Sequence, residues 1–240
     1  MATLIGINLG YLLITFLPPI AWLLFYLRED ENPEPKRLIL ITFLGGIFIA
    51  IPAAAAQYYA IRLTGIPLHT LTQQYPFGVF FFVAFVEEFA KFLVVQKLVT
   101  IRPEFDEPID AMIYMMSAAM GFAAIENALF AFPVLRIGFF DGLGLVAGRF
   151  LGANLLHVLA SGVLGFFLAK AYISVHRKIL IIWGIFTATV LHTLFNYLII
   201  IKGGISESLV YLAIFLAVMA LIIFAQFERL KADKVNIPQV

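Results

Sequence analysis

The chain has 240 residues, of which 62% are hydrophobic and only 13% charged; a soluble domain is nearer half apolar and a quarter charged, so this composition belongs to an integral membrane protein. The formal net charge is +1 and the basic residues form no patch, which gives no reason to expect a nucleic acid partner. No cysteine is present, so disulfides, thiolate nucleophiles and cysteine-ligated metals are excluded.

Apolar segments of about 20 residues, the length that crosses a bilayer, fall at roughly 4–27, 38–61, 76–98, 110–133, 145–173, 179–201 and 207–227. No basic stretch precedes the first of them, so a retained helix is expected there in place of a cleaved signal peptide. Short polar breaks separate the segments: Asn32-Pro33-Glu34-Pro35, Gly65-Ile66-Pro67, Arg102-Pro103, Pro133 and Lys202-Gly203-Gly204. Pro18, Pro19 and Pro52 lie inside predicted helices, where neighbouring helices can satisfy the carbonyls they free. No long polar stretch exists to make a second domain. The expected fold is therefore all-α, a polytopic transmembrane helix bundle of about seven spans over residues 1–240. The 134–149 stretch is the candidate for an eighth, interfacial or re-entrant piece.

The basic residues alternate between the two ends of this bundle. Arg28, Lys36 and Arg37, then Lys97 and Arg102, then Lys170, Arg177 and Lys178, then Arg229, Lys231 and Lys234 fall on one side; Arg62, Arg136, Arg149 and Lys202 fall on the other. Cytoplasmic connections carry the excess of Lys and Arg, which predicts an outside N-terminus, a cytoplasmic C-terminus and a multi-pass protein of the cell membrane. Gly144, Gly148 and Gly152 repeat every four residues, as do Gly46, Ala50 and Ala54. Such small-residue stripes let helix backbones approach closely, and packing within the bundle is the expected use of both.

The informative residues are the polar ones at membrane depth. Val86-Glu87-Glu88-Phe89-Ala90-Lys91 sits in the middle of an otherwise apolar segment. Intramembrane ionisable residues cost several kcal/mol and default to function. Glu87 and Glu88 are i,i+4 and i,i+3 from Lys91, so the ammonium can pair with either. The two carboxylates point about 100° apart, so one can face a cavity while the other braces a neighbour. Later helices add Glu126, then His157 with Ser161 one turn on, then His192 with Asn196 one turn on. A lone membrane histidine more often joins two helices than binds a ligand, and a Glu–Lys pair can be a structural bridge. Four helices placing an acid or imidazole at similar depth is harder to explain that way. His69 and His176 fall in predicted loops, and Asp141 and Arg149 read as packing or interface residues.

Two adjacent carboxylates, a further glutamate and two histidines around a water-accessible pocket are the parts of a hydrolase. A buried carboxylate beside a like charge suits general base work, while imidazole and carboxamide donors can stabilise an oxyanion. Glutamate and histidine also form a legitimate zinc ligand set. A proton- or cation-coupled transporter could use the same residues as a relay, although the internal repeat common in transporters is absent. A non-catalytic membrane scaffold could hold them for assembly.

A family resemblance narrows this. Glu87-Glu88-Phe89-Ala90-Lys91 resembles the EExxK motif of the PrsW family of membrane-embedded proteases. Phe122-Ala123-Ala124-Ile125-Glu126 is similar to its FxxxE motif, His157 with Ser161 to its third motif, and His192 with Asn196 to its HxxxN/D motif. Asn32-Pro33-Glu34-Pro35-Lys36 looks like its acidic-Pro-Glu-Pro loop. The family is related to the CAAX prenyl endopeptidases and, distantly, to the APH-1 scaffold subunit of γ-secretase. The resemblance implies an intramembrane endopeptidase acting on a transmembrane or membrane-proximal protein in the bilayer, as in site-1 cleavage of an anti-sigma factor. It implies catalytic roles for Glu87, Glu88, Glu126, His192 and Asn196, with Lys91, His157 and Phe122 in binding or support. Glu87 and Glu88 would be base and support, and His192 with Asn196 oxyanion or ligand groups. Glu126, His157 and His192 would be the metal ligands if zinc is used; a glutamate-activated water without metal is the alternative.

Overall fold

The computed structural model describes residues 2–201 and 205–232, so Lys202-Gly203-Gly204 and Lys234 lie outside the described residues. Among the described residues the chain is all-helical, with no strand. The long helices are α1 (Ala2–Tyr26), α2 (Lys36–Leu63), α4 (Pro76–Leu98), α5 (Pro108–Ile137), α7 (Leu155–Tyr172), α8 (Arg177–Ile201) and α9 (Ile205–Ala232), with shorter α3 (Leu68–Gln74) and α6 (Phe139–Arg149). Five stretches of the described residues are long and apolar enough to cross a membrane: Lys36–Leu63, Pro108–Ile137, Phe139–Tyr172, Arg177–Ile199 and Leu209–Ala232. Helix α4 also has the length, at 23 residues, but it carries Glu87, Glu88 and Lys91 in its middle.

Helix α5 is the axis of the bundle. Nearly every residue from Pro108 to Ala124 is buried, including Met112, Met115, Met116 and Met120. Unbranched, polarizable methionines fill the uneven gaps that several neighbouring helices leave around one helix. Helices α2 and α7 flank it at backbone distance. A Cβ on Gly46 would strike the Ala118 carbonyl, and one on Gly121 would strike the Phe43 carbonyl. With no hydrophobic effect to drive helices together in lipid, such glycine contacts are what let α2 and α5 touch. The second small-residue stripe departs from the expectation. A Cβ added at Gly144 or Gly148 would meet nothing within 4 Å, and only Gly152, whose Cβ would lie 3.5 Å from the Phe195 ring, faces another helix.

Three further departures from the sequence reading have local causes. Pro133 does not end a helix; it lies inside α5, which continues to Ile137. The N–H it lacks removes one bond, to the Leu129 carbonyl, and membrane helices tolerate such a loss where neighbouring groups satisfy the freed carbonyl. The 134–149 stretch is not one piece, since α5 ends at Ile137, Gly138 turns extended and α6 starts at Phe139. Helix α6 then runs through a π-helical segment, Phe150–Asn154, directly into α7. Trp22 Nε1 donates to the Phe150 carbonyl at 2.8 Å and its ring stacks on Phe150, which supports the irregular turn from α1. Lastly, α3 has no counterpart among the expected segments. Gly65, with its positive φ (+69°), ends the α2 connection and Pro67 starts the short helix, which carries the exposed His69.

The packing predicts unequal responses along the two stripes. Gly46→Leu should destabilise the protein by about 1–3 kcal/mol or more, the usual cost of overpacking, and Gly148→Leu should leave it nearly unchanged. Thermal unfolding of the purified protein in detergent measures both; equal sensitivity would contradict the backbone contact at Gly46.

Candidate active site

Helix α4 sends Glu87 and Glu88 to different surroundings. Glu88 is fully buried and both of its oxygens are hydrogen-bonded. Its Oε1 accepts from Lys91 Nζ at 2.7 Å and from His192 Nδ1 at 3.0 Å, and its Oε2 accepts from Ser161 Oγ at 2.7 Å. Glu87, one residue earlier, faces a cavity of about 840 Å3. Its Oε1 accepts a 3.3 Å bond from Gln57 Nε2 on α2, while its Oε2 is buried without a hydrogen-bond partner, 3.7 Å from His192 Nε2. The choice of pairing for Lys91 is thereby resolved in favour of Glu88, at i,i+3.

The tautomers of both histidines follow from their neighbours. Lys91 Nζ lies 2.9 Å from His157 Nδ1. An ammonium only donates, so Nδ1 accepts and the ring proton of neutral His157 sits on Nε2. That N–H donates to Glu126 Oε2 at 2.8 Å. For His192 the order reverses. Ionised Glu88 only accepts, so Nδ1 carries the proton and Nε2 presents its lone pair toward Glu87 and the cavity. The two rings meet edge to face at 5.0 Å. Phe122 lies beneath, its ring 4.8 Å from Lys91 Nζ and 6.0 Å from His157, so it supports the ammonium and does not line the cavity.

Two participants escape the sequence reading. Arg149, which reads there as a packing residue, donates through Nη2 to Glu126 Oε2 at 3.1 Å and through Nε to Asn127 Oδ1 at 2.5 Å. It lines the cavity together with Glu126, His157, His192 and Asn196. Its position at the start of the π-helical segment brings it there, and such bulges are common at functional sites. Gln57 is absent from the sequence candidates, although it is a polar residue in the apolar 38–61 segment, the same signal that singles out Glu87. His69 and His176 are exposed, and neither lines the cavity.

Donor atoms of Glu87, His157 and His192 lie within 4.8 Å of one another, so a metal-compatible group forms with Glu87 in the place expected for Glu126. Glu126 is instead committed to His157 and Arg149. The fit to a metal is chemical as well as geometric. Glu87 Oε2 is an orphaned buried acceptor, and His192 Nε2 has a free lone pair with Glu88 orienting the ring from behind, the usual support of a ligating histidine. His157 would complete the set only on releasing one of its two present bonds. From its floor the cavity runs between α2 and α4, past Val83 and Tyr58, to the α2–α3 connection at Arg62 and Pro67. Its volume is within the usual range for ligand pockets.

Comparison with known proteins supplies the family. Residues 34–222 match the PrsW family intramembrane metalloproteases. Protease PrsW of Geobacillus kaustophilus is 30% identical over 179 residues, 74% of each chain. Protease PrsW of Halalkalibacterium halodurans is 25% identical over 178 residues, 74% of this chain and 77% of that one. Protease PrsW of Oceanobacillus iheyensis is 25% identical over 218 residues, 88% of this chain and 92% of that one. No solved structure matches the chain. A helical bundle with membrane-spanning stretches, a polar cluster at its centre and a match over most of its length make this chain a member of the PrsW family of intramembrane proteases.

Proposed function

We propose that this protein hydrolyses peptide bonds of single-span or membrane-proximal proteins, with Glu87 as the general base on a water held at the cavity floor. The observation that carries the reading is the contrast between the two adjacent glutamates: three donors engage both oxygens of Glu88, while Glu87 Oε2 is buried, unbonded and in the cavity lining. Glu87 takes a proton from the water as its oxygen attacks the scissile carbonyl. It returns that proton to the departing amine as the C–N bond breaks. Asn196, one turn after His192 and on the cavity wall, supplies a carboxamide donor to the oxyanion. His192 Nε2 orients the water, and Glu88 holds His192 in the required tautomer. Glu126, His157 and Arg149 form the opposite wall and position the substrate backbone. Were zinc bound, Glu87, His157 and His192 would hold it, Glu87 then serving as a ligand in place of the base, and the metal would supply a bound water of lowered pKa and polarise the carbonyl.

The bundle is read as seven spans with the N-terminus outside and the C-terminus in the cytoplasm of a cell-membrane protein. In that orientation the α2–α3 end of the cavity faces outward. An anti-sigma factor cleaved at its outer, site-1 position is a substrate of the proposed kind.

The two glutamates should separate on mutation. Glu87→Gln should lower kcat on a reconstituted single-span substrate by about 10^2–10^4-fold, the range of a lost general base, with its melting temperature nearly unchanged. Glu88→Gln should cost about 3–5 kcal/mol of stability, because it leaves Lys91 buried without its counter-charge. Undiminished cleavage by the Glu87→Gln protein would remove the base from the scheme.

Gln57→Leu should lower kcat about ten-fold, a single orienting hydrogen bond being worth about 1 kcal/mol. Arg149→Ala should raise KM, with Arg149→Lys recovering part of the loss; a steady-state series on one substrate reads both. For the metal, chelation followed by elemental analysis decides. Zinc that is stoichiometric in the native protein and lost from His192→Ala supports the ligand set, and full activity in a metal-free sample supports the glutamate and water alone.

A further inference from the structure

The opposite end of the bundle holds a second convergence of carboxylates. Glu34 lies in the loop between α1 and α2, Asp106 in the turn before α5, and Asp110 in the first turn of α5. One oxygen of each lies within 4.8 Å of the others. Asp110 is 1% exposed. Its Oδ2 caps the helix, accepting the N–H of Asp106 at 2.9 Å and of Glu107 at 2.8 Å. Capping explains that oxygen only. The other, Oδ1, is buried with no donor, and the carboxyl stands against that of Glu34. Glu34 is held in place from below by the buried Tyr114 hydroxyl. From behind, Asp30 Oδ1 and Oδ2 accept the N–H of Asn32 at 3.0 Å and of Glu34 at 3.3 Å, which fixes the loop.

Two ionised carboxylates that face each other can only accept, so either one of them carries a proton or a cation lies between them. A shared proton would serve Glu34 and Asp110 alone. A cation would also engage the third carboxylate, Asp106, which is exposed and opens the group to solvent and to the waters a hydrated ion retains. We propose that Glu34, Asp106 and Asp110 form an oxygen-ligand site for a hard divalent cation of the Mg2+ or Ca2+ type. The all-oxygen donor set suits those ions and disfavours zinc. Asp110 and Glu126 are 16 residues apart on α5, about 24 Å along the axis, so this site is separate from the Glu87 cluster. A bound cation ties the 30–35 loop and the turn before α5 to the central helix.

Terbium luminescence tests this on the full-length protein in detergent. The titration uses the Glu87→Gln variant, so that the cavity cluster contributes no carboxylate at that position. Tyr114, bonded to one of the ligands, is placed to sensitise a lanthanide at the site. Saturable luminescence is expected, displaced by millimolar Ca2+ or Mg2+, with the stronger competitor naming the ion. Asp106→Asn, at an exposed position that does not threaten folding, and Glu34→Gln should each weaken binding at least ten-fold. Glu31→Gln, an exposed neighbour, should not. The melting temperature should rise with the winning cation in the parent and stay flat in Asp106→Asn. Saturable binding that survives both ligand variants, or no saturable binding by protein that elutes and melts as folded, overturns the proposal in favour of a shared proton.

Discussion

The polar interior of this protein depends on one buried ion pair, Lys91 with Glu88, whose charged atoms are 2.7 Å apart and wholly inaccessible. Removing two charges from water is expensive, and attraction between them offsets that cost only when the remaining hydrogen-bonding capacity is also used. Here it is used. Lys91 reaches His157 and the Phe122 ring, and Glu88 reaches His192 and Ser161. The pair therefore connects α4 to α5, α7 and α8 through side chains alone. Each histidine takes its tautomer from one member of the pair, so ring orientation and proton position at the cavity floor are both consequences of it. Cutting such a pair leaves a lone charge in a low-dielectric interior, a much larger perturbation than the loss of one contact.

A network this short needs helices that approach closely, and the approach is set by small residues along α5. Gly46 and Gly121 let α2 and α5 touch by backbone, and Gln57, farther along α2, is carried toward Glu87 as a result. On the other side, Gly165 of α7 sits against the Met112 backbone. The π-helical segment at 150–154 then adjusts the phase of α6 against α7. Arg149 and His157, on either side of that segment, both reach Glu126. Trp22 compensates the disturbed backbone there. The site is thus assembled by packing geometry in the helices and only finished by charge.

Much of this is readable in the linear chain, and what is not has a physical reason. Helical phase predicts that Glu87 and Glu88 diverge and that Lys91 can reach either, because both facts depend on local geometry. Phase does not say which carboxylate meets the cavity; that depends on where α2 and α8 lie, which is tertiary. The same limit hides the exchange of Glu126 for Glu87 among the metal-compatible donors. Membrane depth places Glu126 with the histidines, but Arg149 claims it, and Arg149 arrives through a π-helical turn that no periodicity announces. Gln57 is a different case. It stands out in its apolar segment as plainly as the glutamates do, and a reading tuned to ionisable groups passes over a neutral amide. Pro133 shows the reverse error, a strong breaker absorbed within α5 because it removes a single backbone bond in a helix that its neighbours support.

The charges of the cluster do not balance. The cluster holds three carboxylates, Glu87, Glu88 and Glu126, against two permanent cations, Lys91 and Arg149. Lys91 is committed to Glu88 and Arg149 to Glu126, and the histidine protons serve the same two acids. Glu87 is left with a carboxamide donor from Gln57 and an unbonded oxygen. A carboxylate in that position draws its remaining partner from the cavity, whether a proton, a water or a metal ion. In a protein that buries charge at such cost, the acid left incompletely neutralised is the one with free energy available for chemistry. Its neighbour one residue on, identical in covalent structure, is excluded from that role because the fold has already satisfied it.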